Sequence, residues 1–394
     1  MLLALSAMLV AAKLLGELAE RVGQPAVLGE LIAGVLLGGS VLGVVPTEGV
    51  PGELIHLLAE LGLLLLLFEI GLEVDLRGLF RVGPASLAVA VVGVVVPFTL
   101  GYLFWAHVVP APATTVDRGV VAILIGATLT ATSVGITARV LSDLGSLNTL
   151  EARIIVGAAV IDDVLGLVIL TVVSGIATGT GISVSGVVWT LAVAVGFLVA
   201  AVLIGRFIMP RLFDLVVRMQ VRFVLLVFSV AFALALSALA AAAGSALIIG
   251  AFAAGIILSG TNQFDTIEQE VRPVASVFTP IFFVSVGASL NLALLNPATP
   301  ESRAILALAG GITLLAILGK VVAGWAAPWL NFRRLVVGVG MVPRGEVGLI
   351  FADMGRRSGL LTSELFGAVL IMIMATTFVT PPVLKSLIGP ARSP

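Results

Sequence analysis

Apolar runs of about twenty residues recur along the whole chain, separated by short polar links. At about 1.5 Å per residue, a helix of that length crosses a hydrocarbon layer of about 30 Å. Thirteen runs are read, at 1–20, 25–45, 54–74, 82–107, 118–142, 150–175, 184–209, 221–242, 244–260, 271–291, 303–329, 332–354 and 363–388. Several links carry the proline and glycine of turns, such as PTEGVPGE (46–53) and VVPAPATTVD (108–117). The pattern predicts an all-α polytopic membrane protein with 13 transmembrane helices. No stretch reads as a soluble domain, and the chain stops soon after the last run. Met1 leads straight into LLALSAMLVAA without a positive segment, so the first run is expected to serve as its own insertion signal.

Composition sharpens this picture. Charged residues make up 11% of the chain, against about 25% in soluble proteins. Their placement matters more than their sum. Links after odd-numbered runs hold Arg21, Arg77, Arg139, Arg211, Arg272 and Arg333, with others, whereas the opposite side holds only Arg118, Arg303, Arg356 and Arg357. Positive charge stays in the cytoplasm, which predicts an inner-membrane protein with its N-terminus outside and its C-terminus inside. Trp105, Trp189, Trp325 and Trp329 fall near run ends, where an aromatic belt sits. There is no cysteine, and His56 and His107 are the only histidines. That removes thiolate and disulfide chemistry and leaves no histidine cluster. No cofactor and no nucleic acid partner are expected.

An internal repeat is visible. VLGELIAGVLLGG (27–39) aligns without gaps with IIGAFAAGIILSG (248–260), sharing Gly29/Gly250, Ala33/Ala254, Gly34/Gly255, Leu37/Leu258 and Gly39/Gly260. GLEVDL (71–76) resembles GASLNL (287–292), and TSVGI (132–136) resembles GEVGL (345–349), in the same order. Each pair is separated by an odd number of runs, so the two halves must cross the membrane in opposite directions. Inverted repeats of this kind are built into many secondary transporters, with the site near the midplane beside interrupted helices.

The chemistry-bearing residues are few. GAAVIDDVLGLVIL (157–170) places Asp162 and Asp163 side by side in an apolar run, and LLAILGKVVAGW (314–325) does the same with Lys320. A carboxylate at the centre of a membrane helix costs roughly 2.5–3.5 kcal/mol on insertion scales. One lysine offsets one aspartate, and consecutive helix positions point about 100° apart. One carboxylate can then face Lys320 while the other faces a cavity, as the candidate site. Desolvation and a neighbouring carboxylate both favour the protonated form. A group that is neutral with its proton and offers hard oxygen ligands without it makes a proton and a small cation compete, which is the minimum for exchange.

Two runs look broken. ATLTATSVGITARV (127–140) interrupts an apolar helix with Thr130, Thr132, Ser133 and Gly135, and VGMVPRGEVGLIF (339–351) does so with Pro343, Arg344, Gly345 and Glu346. Proline deletes a backbone hydrogen bond and glycine permits a turn. Unwound backbone at membrane depth survives only inside protein or facing water. The exposed half-helix ends carry partial charges that Glu346 and Arg344 would offset. Two discontinuous, crossing helices are therefore expected. Other acids read as interfacial or subunit-contact groups: Glu30, then Glu69, Glu73 and Asp75 beside Arg77, and Glu17, placed to pair with Lys13.

Together the motifs ERVGQPAVLGELIAGVLLG (20–38), ATSVGITARVL (131–141), GAAVIDDVLGL (157–167), PIFFVSVG (280–287), ILGK (317–320) and GVGMVPRGEVGLI (338–350) resemble the monovalent cation:proton antiporter superfamily, most closely its NapA-type bacterial sodium/proton antiporters. They span nearly the whole chain in family order. The resemblance implies a homodimer with a dimerisation domain (1–76 and 219–294), a moving core domain (82–177 and 303–390) and a linker helix (184–210). It implies Asp163 as the main ligand for cation and proton, Asp162 as the partner of Lys320, and Thr132 and Ser133 beside the bound ion. The kept Asp-Asp pair implies electrogenic exchange. No nucleotide-binding tail follows, which points away from a ligand-gated potassium efflux protein of the same superfamily.

The expected activity is exchange of Na⁺ (or Li⁺) for protons across the bilayer by alternating access, in the service of pH homeostasis. It is a transporter, not an enzyme. A K⁺/H⁺ exchanger of the same fold is the nearest alternative, since ion choice rests on sub-ångström geometry. An organic-anion symporter fits two buried acids poorly. An intramembrane aspartyl protease would need its two aspartates on separate helices. A passive channel would be obstructed by these charges.

Overall fold

A computed structural model describes residues 1–46, 49–73, 76–109, 118–177, 184–244, 247–290, 300–344, 348, 351–352, 355–356 and 359–389. In chain order its helices are α1 (Leu2–Arg21), α2 (Ala26–Leu37), α3 (Gly49–Glu73), α4 (Leu76–Leu103), α5 (Arg118–Thr128), α6 (Val134–Asp143), α7 (Leu150–Ala177), α8 (Val184–Val216), α9 (Val224–Ala242), α10 (Leu247–Leu258), α11 (Phe264–Ala288), α12 (Pro300–Ala323), α13 (Arg334–Gly340) and α14 (Ser363–Ile388). No strand occurs among the described residues. Among the described residues, eight helices are long and apolar enough to cross a membrane. The chain divides into two compact units, Met1–Arg81 with Trp189–Ser289, and Val82–Val188 with Leu290–Pro394.

Inside the first unit, helices meet backbone to backbone through glycines. Lipid gives apolar helices no reason to associate beyond close packing, so small residues hold their interfaces. A methyl group placed on Gly29 would lie 2.1 Å from the Leu15 carbonyl oxygen of α1, and one on Gly250 2.4 Å from that of Leu236 on α9. Gly34 and Gly287 join α2 to α11, each with a carbonyl 2.1 Å from the methyl position. Gly71 and Gly255 join α3 to α10 at 2.4 and 2.2 Å. These contacts come in two matched sets, and the matched glycines are those of the repeat.

The repeat helices α2 and α10 are short, twelve residues each, or about 18 Å. The runs 25–45 and 244–260 read longer than the helices they contain. After Leu37 the chain reverses: Gly43 adopts φ 61°, and the N–H groups of Val44 and Val45 both donate to the Leu37 carbonyl, at 2.9 and 3.0 Å. Residues 38–45 therefore fold back over the end of α2 and satisfy its last carbonyls instead of extending it.

Charged groups in this unit find partners and surroundings that the sequence reading did not name. Glu17 pairs with Arg21 at 2.8 Å, not with Lys13. Glu69 and Glu73 meet Arg272 of α11 at 3.3 and 3.0 Å, and Glu268 joins them at 3.2 Å. Glu30, expected near an interface, is 1% exposed. Asp75 lies outside the described residues. On α11, Glu270 accepts the N–H of Leu226 at 2.9 Å and so caps the start of α9.

The second unit holds α4–α7 and α12–α14. Gly126 lets α5 approach α4, where a methyl would lie 2.8 Å from the Phe98 oxygen. Gly324 and Gly338 do the same for α12 and α13, at 2.1 and 2.3 Å from backbone oxygens. The runs 118–142 and 332–354 are both interrupted, the first over 129–133, the second from Met341 to Arg344 after α13 ends. Arg333 ties three helix ends together. Its N–H donates to Glu151 of α7 at 2.9 Å, and its guanidinium donates to the Leu387 and Ile388 carbonyls of α14, both at 3.3 Å, just before α13 begins.

Candidate functional site

The buried charges of the second unit converge. α7 brings Asp162 and Asp163 inward, 3% and 5% exposed. Both follow the small residues Gly157, Ala158 and Ala159, which suit a helix packed closely on its neighbours. Lys320 of α12 is fully buried, and its Nζ donates to Asp162 Oδ2 at 3.0 Å. Asp162 Oδ1 is buried and has no hydrogen-bond partner among the described residues. It is an oxygen with lone pairs and no donor, a costly arrangement in a dry interior.

The two interrupted segments cross beside each other and exchange hydrogen bonds. Ser133 N–H donates to the Pro343 carbonyl at 2.8 Å. Thr132 Oγ1 donates to Met341 O at 3.3 Å, and Thr137 Oγ1 to Gly340 O at 2.6 Å. Unwound backbone thus finds partners in the opposite break, which is how such segments persist at membrane depth. Thr130 closes its own turn, donating to Ala127 O at 2.7 Å.

Arg344 sits at the centre of the crossing and is fully buried. Its Nη2 donates to Leu129 O at 2.7 Å, just past the end of α5, and its Nη1 to Val342 O at 2.6 Å, just past the end of α13. Nη2 also reaches Ala316 O of α12 at 3.3 Å. Both half-helices point their negative C-terminal ends at one guanidinium, whose forked donors suit several carbonyls at once. Its own carbonyl accepts from Thr377 Oγ1 of α14 at 2.5 Å. Glu346 lies outside the described residues.

Buried charge therefore counts differently from the sequence reading, which set one lysine against two aspartates. Asp162, Asp163, Lys320 and Arg344 together sum to zero when all are ionised. Sequence reasoning also missed Thr137 and Thr377, which brace the crossing, and a notch on α4. A methyl at Gly93 would lie 3.5 Å from Lys320 Nζ. The available signal was the hydroxyls and glycines scattered in otherwise apolar runs.

Among the described residues no three histidine or acidic side chains cluster at metal-ligand spacing. A cation held here would draw on the aspartate carboxylates with hydroxyl and carbonyl oxygens from the break at 129–133. Oxygen donors of this kind suit a hard, weakly polarisable ion. Asp162, Asp163, Lys320 and Arg344 are all buried charged side chains of this one unit.

Comparison with known proteins agrees in kind. The chain is 40% identical to the high-affinity Na⁺/H⁺ antiporter NhaS3 of Synechocystis sp., covering 99% of this chain and 90% of that one. It is 36% identical to the Na⁺/H⁺-K⁺ antiporter GerN of Bacillus cereus, over 97% and 94% of the two chains. Its fold matches that of the sodium proton antiporter MjNhaP1 from Methanocaldococcus jannaschii with a TM-score of 0.68 at 17% identity, over 98% and 96% of the chains. The family model described as sodium/hydrogen exchanger, transmembrane, matches residues 4–388. The chain is a multi-pass membrane protein and belongs to the sodium/hydrogen exchanger family of monovalent cation:proton antiporters.

Proposed function

We propose that this protein is an electrogenic Na⁺/H⁺ antiporter, accepting Li⁺ as well, that works by alternating access. The observation that carries the reading is the buried pair of adjacent aspartates, one of them joined to Lys320 at 3.0 Å, beside two crossed breaks. Proton and cation compete for Asp163. The cation takes further oxygens from Asp162, from Thr132 and Ser133, and from the unwound backbone. As Asp162 turns to the ion, Lys320 gives up its hold and a proton leaves with it, so more than one proton moves per cation. Arg344 contributes fixed positive charge, which favours ionised aspartates and neutralises the half-helix ends; Glu346 serves the second break.

The matched glycine contacts of the first unit and the repeated motifs support an inverted repeat of 13 spans. In this reading 82–177 and 303–390 form the moving core, 1–76 and 219–294 the dimerisation domain of a homodimer, and 184–210 the linker. The protein sits in the inner membrane with its N-terminus outside and serves pH homeostasis.

The experiment is proton flux in proteoliposomes with an imposed pH gradient, on adding Na⁺, Li⁺ or K⁺. Wild type should collapse the gradient with Na⁺, and Asp163→Asn should not. Lys320→Gln should reduce the charge moved per cation; unchanged charge movement would remove the lysine from coupling. A second reading, K⁺/H⁺ exchange, draws on the printed name of the GerN relative, which includes K⁺. A response to K⁺ alone would select it.

A further inference from the structure

The face of α4 turned to Lys320 has an unusual composition. Gly93 and Pro97, one turn apart, are both buried there. A methyl placed on Gly93 would touch Lys320 Nζ and Ala323 Cβ at 3.5 Å, and Lys320 Cδ at 3.6 Å. One turn further, Gly319 of α12 gives way in turn: a methyl there would lie 2.8 Å from the Cα and Cβ of Pro97. The contacts at 93 are of ordinary van der Waals length, so the α4 backbone stands directly beside the amino group, while the missing side chain at 319 makes room for the proline.

Proline adds a chemical consequence. In an α-helix the N–H of residue 97 would donate to the carbonyl of residue 93, four positions earlier, and Pro97 has no N–H. Gly93 therefore keeps a backbone acceptor that its own helix does not take up in the ordinary way. That acceptor belongs to the residue against which the Lys320 amino group rests. An amino group has N–H to donate whether charged or neutral, and a carbonyl can only accept. Among the described residues, Lys320 Nζ has Asp162 as its hydrogen-bond acceptor, and leaving that acceptor in a dry interior carries a penalty unless another is at hand.

We propose that the Gly93–Pro97 notch of α4 is the second seat of the Lys320 amino group, receiving it on the Gly93 carbonyl when Asp162 turns to the cation. Gly93 and Pro97 are positioning residues: they act through Lys320 and touch no ion. The inference rests on the assignment of Lys320 and Asp162 made above. It accounts for how a buried lysine changes partner without being stranded, and it sets the energy of the cation-loaded state without altering the proton-loaded one.

The test is Pro97→Ala, which restores the N–H and lets the helix reclaim the Gly93 carbonyl. In proteoliposomes the apparent KM for Na⁺ should rise about three- to tenfold, the loss of roughly one hydrogen bond. The same substitution in a Lys320→Met background should leave the apparent KM of that background unchanged. Pro84→Ala, which removes an exposed proline from the same helix, should do nothing to Na⁺ dependence. Gly93→Val is the second variant should Pro97→Ala not fold. It keeps the carbonyl but reaches past the methyl position, which already touches the amino group at 3.5 Å, and should raise the apparent KM only in the presence of Lys320. An equal rise in both backgrounds, or none in either, overturns the notch. If Lys320→Met alone leaves Na⁺ dependence and the pH profile as in wild type, the lysine–aspartate reading fails first and takes the notch with it.

Discussion

Asp162 and Lys320 show how much a single buried pair can constrain. Both are cut off from water, so neither can be removed alone without leaving an uncompensated charge, a loss of about 3–5 kcal/mol in comparable pairs. Lys320→Met should therefore lower the melting temperature in detergent well below that of wild type. The double variant Lys320→Met with Asp162→Asn should recover much of the loss while remaining defective in transport. A double variant no more stable than the single one would mean that Lys320 is held by something other than Asp162. Arg344 presents a different case, because its partners are carbonyls on three chain segments. Arg344→Lys keeps the charge but loses the fork, so at least one carbonyl at the end of α5 or α13 goes unmet. A stability loss of about 1–3 kcal/mol should follow, readable in the same thermal measurement. Charge counting on the sequence points from Lys320 to an aspartate, because few charges lie deep in the apolar runs. It does not place Glu30, since a charge in the first turns of a run reads as interfacial until the backbone around it is known to bury it, and Arg344 is reached through the interrupted run rather than through the charge count.

Helix contacts in this protein are decided by glycine. Gly255→Ala would force a methyl within 2.2 Å of the Phe68 carbonyl oxygen, so α3 and α10 must separate or the protein must fail to assemble. Gly310→Ala on α12 meets nothing within 4 Å and should be neutral or gain about 0.5–1 kcal/mol from helix propensity. Comparing the two by size-exclusion yield and thermal melting isolates close approach from propensity. Similar behaviour of both would mean that the α3–α10 contact is not what holds the first unit. At the same scale Glu270→Ala should cost about 1 kcal/mol as the cap of α9 is lost, and Glu270→Gln, which still offers an oxygen, less. The breaks at 129–133 and 341–344 were readable because threonine, glycine and proline interrupt apolar runs where a helix has no use for them. The shortness of α2 was not readable. Hydropathy continues through Val41, Leu42, Val44 and Val45, and only the fold-back of these residues onto Leu37 ends the helix.

The charge distribution of the whole chain makes a claim that neither residue nor element can make, which is the direction in which it threads the membrane. Arginines concentrate in the links after odd-numbered spans, and the rule that retains positive charge in the cytoplasm then places Ser386, near the end of α14, inside and Ser40, past α2, outside. The absence of cysteine turns the protein into its own labelling background, and both serines are exposed. On intact cells a membrane-impermeant maleimide should label Ser40→Cys and leave Ser386→Cys unreacted, and inside-out vesicles should reverse the pattern. Labelling of both positions from one side would require an even number of crossings between them in place of the odd number that 13 spans demand. The opposite labelling pattern would keep the span count and invert the molecule. The direction matters for kinetics, because the gradients and the proton-to-cation ratio set the sign of any current whichever way the chain threads, while the topology sets which opening meets which solution. Flux measured in vesicles of known orientation, sorted by the same maleimide, should keep one sign of current under one imposed gradient, while its Na⁺ and pH dependence differ with the side each opening faces.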